Sequence, residues 1–441
     1  MDRPRVARDN PRPMLNRPAF VALALALLTA PLASCQCSRT PQERTTEAPP
    51  EPKLVELPLK LGNGLDVDLV TGPCGESAAF VVLIHVGIDH DPAGRSGMAQ
   101  LVGRLFATSA PQGRPERTVE VGNDYLMMSV VGTEEQVLLE IDDMASWMAQ
   151  RTPTEADLTR EKTRMLEELG KLQGDDAQKT AVQLAEEAVR PSRGNGKHRG
   201  IAAEVEAITV GELQTYWQGN IKPGNTRMVI AGKYDGEKVR ARVETGFTSL
   251  AAGTPPVLRD PGEATVKGTL VMGDKPTAVA IAIPVPAFTD ATYAPFLVLA
   301  SRLLDQPAEP RTWLTQYDPI RRPDVLLVTG PVGQTEQPEP AAGRMRDEMA
   351  KILAAPLAAT EIAATKERFH WLLKPRELHP DTCAKDARAF AIARARGAQM
   401  KMNTAEVTKA LESVTKEQLE ETAKLFGPKQ SAAVIAGGAI R

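Results

Sequence analysis

The pattern of apolar and polar positions in the first half of the chain predicts strands first and helices afterwards. Two apolar stretches, 54–61 and 65–70, flank the dipeptide Asn63-Gly64 and therefore predict a β-hairpin with a tight turn. The nearly continuous apolar run 78–86 predicts a buried strand. The remaining elements predicted for this half are a helix at 96–106, a strand at 125–132 and helices at 134–150, 154–172 and 175–189.

The second half of the chain repeats a segment of the first half. Residues 208–232 and 414–437 each contain a threonine that can cap a helix, Thr209 or Thr415, followed by a turn with proline and the sequence Val-Ile-Ala-Gly. Strands again precede helices, which is typical of an α+β fold. The predicted organisation is two homologous α+β domains, 54–250 and 265–441, with a Pro- and Gly-rich linker at 251–264. The elements predicted for the second domain are strands at 267–272, 277–284 and 324–330 and helices at 289–304, 339–353, 359–372, 381–397 and 415–426.

Residues 1–34 are predicted to be a bacterial lipoprotein signal peptide. An apolar run of 14 residues, Ala19–Leu32, follows two arginines and is too short to span a bilayer comfortably. The run ends in Leu-Ala-Ser-Cys, which resembles a lipobox, so we expect cleavage before Cys35 and acylation of that residue. The alternative is an ordinary signal peptide with a coincidental cysteine. Either Met1 or Met14 can be the start.

The mature chain is expected to be lipid-anchored in the cell envelope. Gln36, not an aspartate, follows the anchor, which suggests the outer membrane, facing the periplasm. Residues 35–53 are polar and Pro-rich and predict a flexible tether. Cys74 and Cys383 belong to the folded part, where an oxidising compartment would allow either a disulfide or two separate thiols.

Composition and charge exclude several kinds of partner. The 441 residues carry a formal net charge of −3 and 4% aromatic residues, so a nucleic-acid surface is not expected. Of the five histidines only His85 and His90 are near neighbours, and their odd spacing at a strand end places them on opposite faces. These histidines predict no metal site.

Three parts of the sequence resemble the insulinase/pitrilysin family of zinc peptidases, in the branch of the mitochondrial processing peptidases. They are LPLKLGNGLDVDLV, VVLIHVGIDHDPAGRSGMAQLVGRLF and the repeated segments ITVGEL…VIAG and VTKEQL…VIAG. The resemblance covers about residues 54–441 and implies two homologous domains that form half of a clamshell around a chamber. It also implies a helix with the sequence Gly-Leu-Ala-His-x-x-Glu-His, whose histidines bind zinc and whose glutamate activates water.

The corresponding helix of this chain lacks all three functional side chains. Gln100 and Arg104 stand at the histidine positions and Gly103 stands at the glutamate position. An amide is a poor zinc ligand, glycine supplies no base, and a guanidinium keeps its proton and repels a cation. The resemblance therefore implies a member with no metal, no cofactor and no catalytic residue.

A remnant of the family's third zinc ligand is recognisable as Glu168. It lies closer to Arg104 than the family's spacing requires, because the segment 107–117 replaces a helix that normally follows the metal helix. A carboxylate left in a former metal site needs a positive partner. We therefore expect Arg104 to pair with Glu167 or Glu168.

The resemblance also points to a pair of residues in the second domain. Family members use an arginine and a tyrosine there to hold the scissile carbonyl of the substrate. Arg311 and Tyr317, which precede the predicted strand at 324–330, are the candidates for this substrate contact. The alternative is that both are ordinary surface loop residues.

The resemblance implies a catalytically inactive peptidase homologue. We expect a lipid-anchored subunit that forms a chamber wall and peptide contacts for an active zinc peptidase of the same family. A stand-alone envelope scaffold lipoprotein is the alternative, and an active zinc endopeptidase with an unrecognised site is a third possibility.

Overall fold

The structure, a computed structural model, describes residues 54–72, 76–108, 113–149, 152–175, 177–189, 200–254, 268–272, 276–306, 313–333, 335–374 and 383–436. Its strands are β1 (Val55–Lys60), β2 (Asp66–Thr71), β3 (Ala78–Ile84), β4 (Thr118–Val121), β5 (Leu126–Gly132), β6 (Thr226–Gly232), β7 (Gly268–Met272), β8 (Ala278–Pro284), β9 (Leu314–Gln316), β10 (Val325–Pro331) and β11 (Ala432–Ala436). Its helices are α1 (Met98–Thr108), α2 (Glu134–Ala149), α3 (Glu155–Asp175), α4 (Ala177–Val189), α5 (Ala202–Ala207), α6 (Val210–Asn220), α7 (Gly236–Phe247), α8 (Tyr293–Leu304), α9 (Pro338–Leu353), α10 (Glu361–Arg368), α11 (His370–Leu373), α12 (Cys383–Met400), α13 (Thr404–Glu412) and α14 (Lys416–Ala423).

Two sheets of the same topology confirm the predicted α+β fold with two homologous halves. The first sheet has the order β1-β2-β6-β3-β5-β4 and the second has the order β7-β11-β8-β10-β9. In each sheet one pair is parallel, β2 with β6 and β7 with β11, and the described neighbours after it are antiparallel. The first sheet has the additional strand β1, which pairs with β2 through the predicted hairpin.

The two halves exchange one helix each. Helix α4 belongs to the first half of the chain but packs on the second sheet, where Ala181 and Ala185 share a cluster of small residues that includes Ala280. Helix α12 belongs to the second half and packs on β3 and β6 of the first sheet, where Phe390 shares a hydrophobic cluster with Val81. Since each sheet buries one face under a helix of the other half, the halves share their hydrophobic core.

Local signals in the sequence account for most element boundaries. Thr209 and Thr415 both cap their helices, each completing a capping box with Glu212 or Gln418 three residues later. The predicted helix at 359–372 is instead two helices, α10 and α11, which meet at Phe369. Two edge strands, β4 and β9, and three helices, α5, α7 and α13, were not predicted from the sequence.

Several predicted features lie outside the described residues. They are the signal peptide, Cys35, the tether at 35–53 and most of the linker at 251–264. Cys74 is also outside, and Cys383 is described only as the first residue of α12. The limits of the two domains stay predictions. In the described part of the chain, no helix is both long enough and apolar enough to cross a membrane.

Candidate functional site: the former metal helix

Helix α1 carries the three positions singled out in the sequence, and a buried aspartate holds its first turn. The carboxylate of Asp91 accepts hydrogen bonds from the backbone N–H groups of Gly97, at 2.7 Å, and Ala99, at 2.8 Å. Burial raises the pKa of the Asp91 carboxyl to about 7. Gly97 has a φ of +95°, and a Cβ there would lie 2.7 Å from the side chain of Met165, so both backbone and space require glycine.

Gly103 faces β4 with no room for a side chain. A Cβ at this position would lie 2.6 Å from Cγ2 of Val121 and 3.3 Å from Cγ1 of Val119. A glutamate here would force the side chains of Val121 and Val119 to move, because the clash begins at the first side-chain atom. The packing around Gly103 therefore leaves little space for a larger side chain.

Arg104 and Glu168 form the ion pair that the sequence predicts. One Nη of Arg104 donates to Oε1 of Glu168 at 3.1 Å, and the other Nη bonds Oε2, so the pair is bidentate. The two side chains are 26% and 56% exposed, respectively. An ion pair this open to water contributes about 0–1 kcal/mol, so it adds little to the stability of the fold.

A second carboxylate on the same side of α3 makes the tighter contact with α1. Glu161 is 1% exposed and accepts a hydrogen bond from the hydroxyl of Thr108 at 3.0 Å. Arg160 and Arg164 also donate to this carboxylate, at 2.8 and 3.3 Å. Sequence reasoning missed Glu161, although it lies two helical turns before Glu168 and therefore on the same face.

The short connection after α1 is held by buried charges. Arg117 donates from Nε to Glu140, at 2.7 Å, and from an Nη to Asp143, also at 2.7 Å. The side chains of Arg117 and Glu140 are 1% and 0% exposed. Arg117 also lies over the ring of Trp147, 5.3 Å from its centroid. The connection that enters β4 is thus anchored on α2.

The side chains at this site do not fit a zinc ion. Among the described residues no group of three or more His, Cys, Asp or Glu side chains is placed to hold a metal. His85 and His90 lie elsewhere, on the loop before α1, and burial lowers the pKa of both imidazoles. His370 stacks on Trp371. The two remaining histidines, at 198 and 379, are outside the described residues.

Tyr317 lies in the core of the second half. Its ring makes edge-to-face contacts with Phe296, at 5.7 Å, and Phe369, at 5.9 Å between centroids. Its hydroxyl oxygen is buried, and burial raises its pKa well above the usual value. In this structure the hydroxyl cannot touch a peptide, so the placement favours a packing role over substrate contact. Arg311 is outside the described residues.

Comparison with known proteins places this geometry among peptidase folds. Residues 207–316 match the family model "Peptidase M16 inactive domain". A protease from Helicobacter pylori has a TM-score of 0.70 at 15% identity, over 87% of this chain and 99% of that chain. A peptidase M16 inactive domain from Pseudomonas fluorescens has a TM-score of 0.67 at 14% identity, over 87% and 98%. The periplasmic protease PqqL from Escherichia coli has a TM-score of 0.62 at 16% identity, over 86% of this chain and 47% of that chain. No curated protein matches the chain in sequence. The family model and the shared fold confirm the resemblance.

Proposed function

We propose that this chain, which has the fold of the M16 (insulinase-type) peptidases, is a non-catalytic subunit of a zinc peptidase in the bacterial envelope. Its role is to form one wall of a chamber and to contact a peptide that an intact partner cleaves. The observation that carries the proposal is the state of α1. Gly103, which supplies no base, is packed against Val121 of β4, and Arg104, which supplies no zinc ligand, is paired with Glu168.

The need for a partner is supported by the size of related proteins. The chain covers 47% of PqqL but 91% of the structure of PqqL's first half. One protease chain of this fold therefore contains about twice the structure present here. A chain that corresponds to one half, and whose metal helix is degenerate, suits a complex in which a second chain provides the zinc.

The location in the envelope rests on the N-terminal sequence. We infer that acylation of Cys35 anchors the chain in the outer membrane, facing the periplasm, and that residues 35–53 let the folded part extend from the membrane. The periplasmic location of PqqL is in keeping with this compartment. Changing Cys35→Ser should move the protein from the membrane fraction to the soluble fraction of lysed cells. A variant that stays as firmly membrane-bound as the parent would rule out this anchor.

Reconstitution tests the subunit role. The purified chain should hold less than about 0.1 equivalent of zinc and cleave no peptide, since it lacks the ligands and base that zinc hydrolysis needs. Mixed with a homologue from the same genome that has an intact His-x-x-Glu-His helix, it should form a complex and raise that homologue's peptidase activity. A complex in which the glutamate of the partner's motif is changed to glutamine serves as the inactive control.

The outcomes of this experiment separate the alternatives. Peptide cleavage and bound zinc in the isolated chain would overturn the non-catalytic role. Failure to associate with the intact homologue, with no effect on its activity, would overturn the subunit role and favour a stand-alone scaffold lipoprotein.

A further inference from the structure

Two histidines that the former metal helix does not use lie on the loop where the two halves of the chain meet. His85 directly follows β3, and His90 ends a short 3-10 turn before α1. The loop rests on the β4–β5 turn, residues 122–125. Its backbone N–H groups donate to the carbonyl oxygens of Gly122 and Asn123, at 3.1 and 2.8 Å. A shift of this loop would therefore strain or break its hydrogen bonds to the β4–β5 turn.

The β4–β5 turn also binds the C-terminal part of α12, a helix of the second half. Gln399 donates from its amide to the backbone oxygen of Asp124 at 3.1 Å and to its carboxylate at 3.3 Å. Arg396 reaches the same carboxylate at 3.5 Å, and its guanidinium lies 3.8 Å from the centre of the Tyr125 ring. Arg396 is 1% exposed, whereas the side chain of Asp124 is 32% exposed, so the contact is buried on the side of α12.

The hydrogen bonding of His90 requires a neutral imidazole. Nδ1 accepts a hydrogen bond from the backbone N–H of Gly87 at 3.0 Å, which is possible only while Nδ1 carries no proton. Nε2 is buried and has no hydrogen-bond partner among the described residues. With a proton on Nδ1, the N–H group of His90 would face the N–H group of Gly87. Their hydrogen bond would break, and the imidazole would carry a positive charge in a buried position.

Charged groups of both signs face the two imidazoles. His85 faces Arg396 of α12 and Arg227 of β6, which repel an imidazolium. Asp124 attracts a proton to both histidines, but it already binds Arg396. The loop itself carries two further acids, at 89 and 91, next to His90. Burial outweighs these attractions and lowers the pKa of His85 and His90.

We propose that the loop of residues 85–91 is a pH-sensitive joint between the two halves of the chain. Proton uptake by His90 breaks the bond to Gly87, loosens the β4–β5 turn and weakens the packing of α12 on the first sheet. Because the same loop continues into Asp91, which caps α1, the N-terminus of α1 loosens with it. The proposal does not depend on the subunit role and concerns the chain by itself.

The sign of the effect follows from linkage. Both imidazoles have a lower pKa in the folded chain than the ordinary value of about 6.5. Their neutral state therefore contributes stability that is complete above that value and is lost as the pH falls through the lowered pKa. The two histidines therefore favour a joint that is closed at neutral pH and open on acidification. The Asp91 carboxyl, whose pKa is raised to about 7, acts in the opposite direction, because its protonated form is favoured in the folded chain, and the His90→Asn variant separates the two contributions.

Hydrogen exchange of the full mature chain tests the joint. Amide protection factors, corrected for the pH dependence of intrinsic exchange, are compared at about pH 7.5 and about pH 5.5. We expect protection to fall at least about threefold in residues 122–125 and 394–400, with much less change in β8 and β10. The variant His90→Asn keeps an acceptor oxygen for Gly87 that does not titrate, so it should retain protection at the lower pH. His370→Asn, outside the joint, should behave as the parent does.

Two results would overturn the proposal. One is equal protection of these residues at both pH values in the parent chain. The other is a His90→Asn variant, folded at neutral pH, that loses protection on acidification as fully as the parent. Should that variant fail to fold, an NMR titration of the parent's imidazoles decides the matter, since a pKa at or above the ordinary value for His90 contradicts a joint of this kind.

Discussion

Two arginine–carboxylate contacts lie at either end of the same stretch, α1 and the connection after it, and they differ in access to water. Arg104 and Glu168 meet near the surface and are open to solvent. Arg117 and Glu140 meet in the interior, beside the connection between α1 and β4. The second contact holds that connection on α2, so the fold depends more on this buried pair than on the exposed one.

The largest effect is expected from breaking the buried contact. Arg117→Met should lower the free energy of unfolding by up to about 3–5 kcal/mol, because the buried carboxylate of Glu140 would keep only its longer contact to Arg114, at 3.6 Å, as a positive partner. Urea denaturation followed by circular dichroism measures the change. The double variant Arg117→Met with Glu140→Leu should recover much of the loss, since it removes the buried carboxylate as well. A loss below about 1 kcal/mol in the single variant would mean that the two contacts are equivalent.

The next effect tests whether the former metal site is closed by packing. Gly103→Ala should cost about 1–3 kcal/mol, because the new Cβ meets Val121. Restoring the full motif, with Gln100→His, Gly103→Glu and Arg104→His together, should leave the protein without stoichiometric zinc, as measured by elemental analysis after dialysis.

Val121, whose side chain the new Cβ at position 103 would meet, supplies the matched control. Adding Val121→Ala to Gly103→Ala should return part of the lost stability, whereas Val121→Ala alone should lower it. Tight zinc binding by the restored motif with β4 unchanged would show that sequence loss, and not space, keeps the metal out.

A small effect is expected from the exposed contact. Arg104→Ala should change the free energy of unfolding by no more than about 1 kcal/mol, and a double-mutant cycle with Glu168→Ala should give a coupling of the same size that shrinks with added salt. A coupling above about 2 kcal/mol would contradict the view that this pair only fills the former site.

The smallest effect is expected at Tyr317. Tyr317→Phe keeps the ring contacts and removes a buried hydroxyl, so stability should change by less than about 1 kcal/mol. Activity of the reconstituted pair should also be unchanged. A tenfold fall in kcat/KM without a change in stability would instead support the substrate contact suggested by the family resemblance.

Local signals in the sequence were sufficient for much of the fold. Threonine caps and the Asn63-Gly64 turn located helix starts and the first hairpin, because capping and tight turns depend on a few neighbouring residues. The edge strands β4 and β9 were missed since they are four and three residues long and show little alternation in burial. The sequence did offer a signal for Glu161, because this residue lies two helical turns before Glu168. Its burial, however, depends on contact with α1, which the sequence does not show.

The sequence alone determined the order of elements, the internal repeat and the loss of the zinc-binding side chains, since each of these is written in residues close along the chain. Only the tertiary structure decided four other features. Arg104 binds Glu168, and β4 fills the space beside Gly103. The hydroxyl of Tyr317 is buried, and α4 and α12 each pack on the sheet of the other half. The physical reason is that burial and charge pairing are set by residues far apart in sequence. The free energy of such contacts depends on desolvation and packing, which no local pattern records.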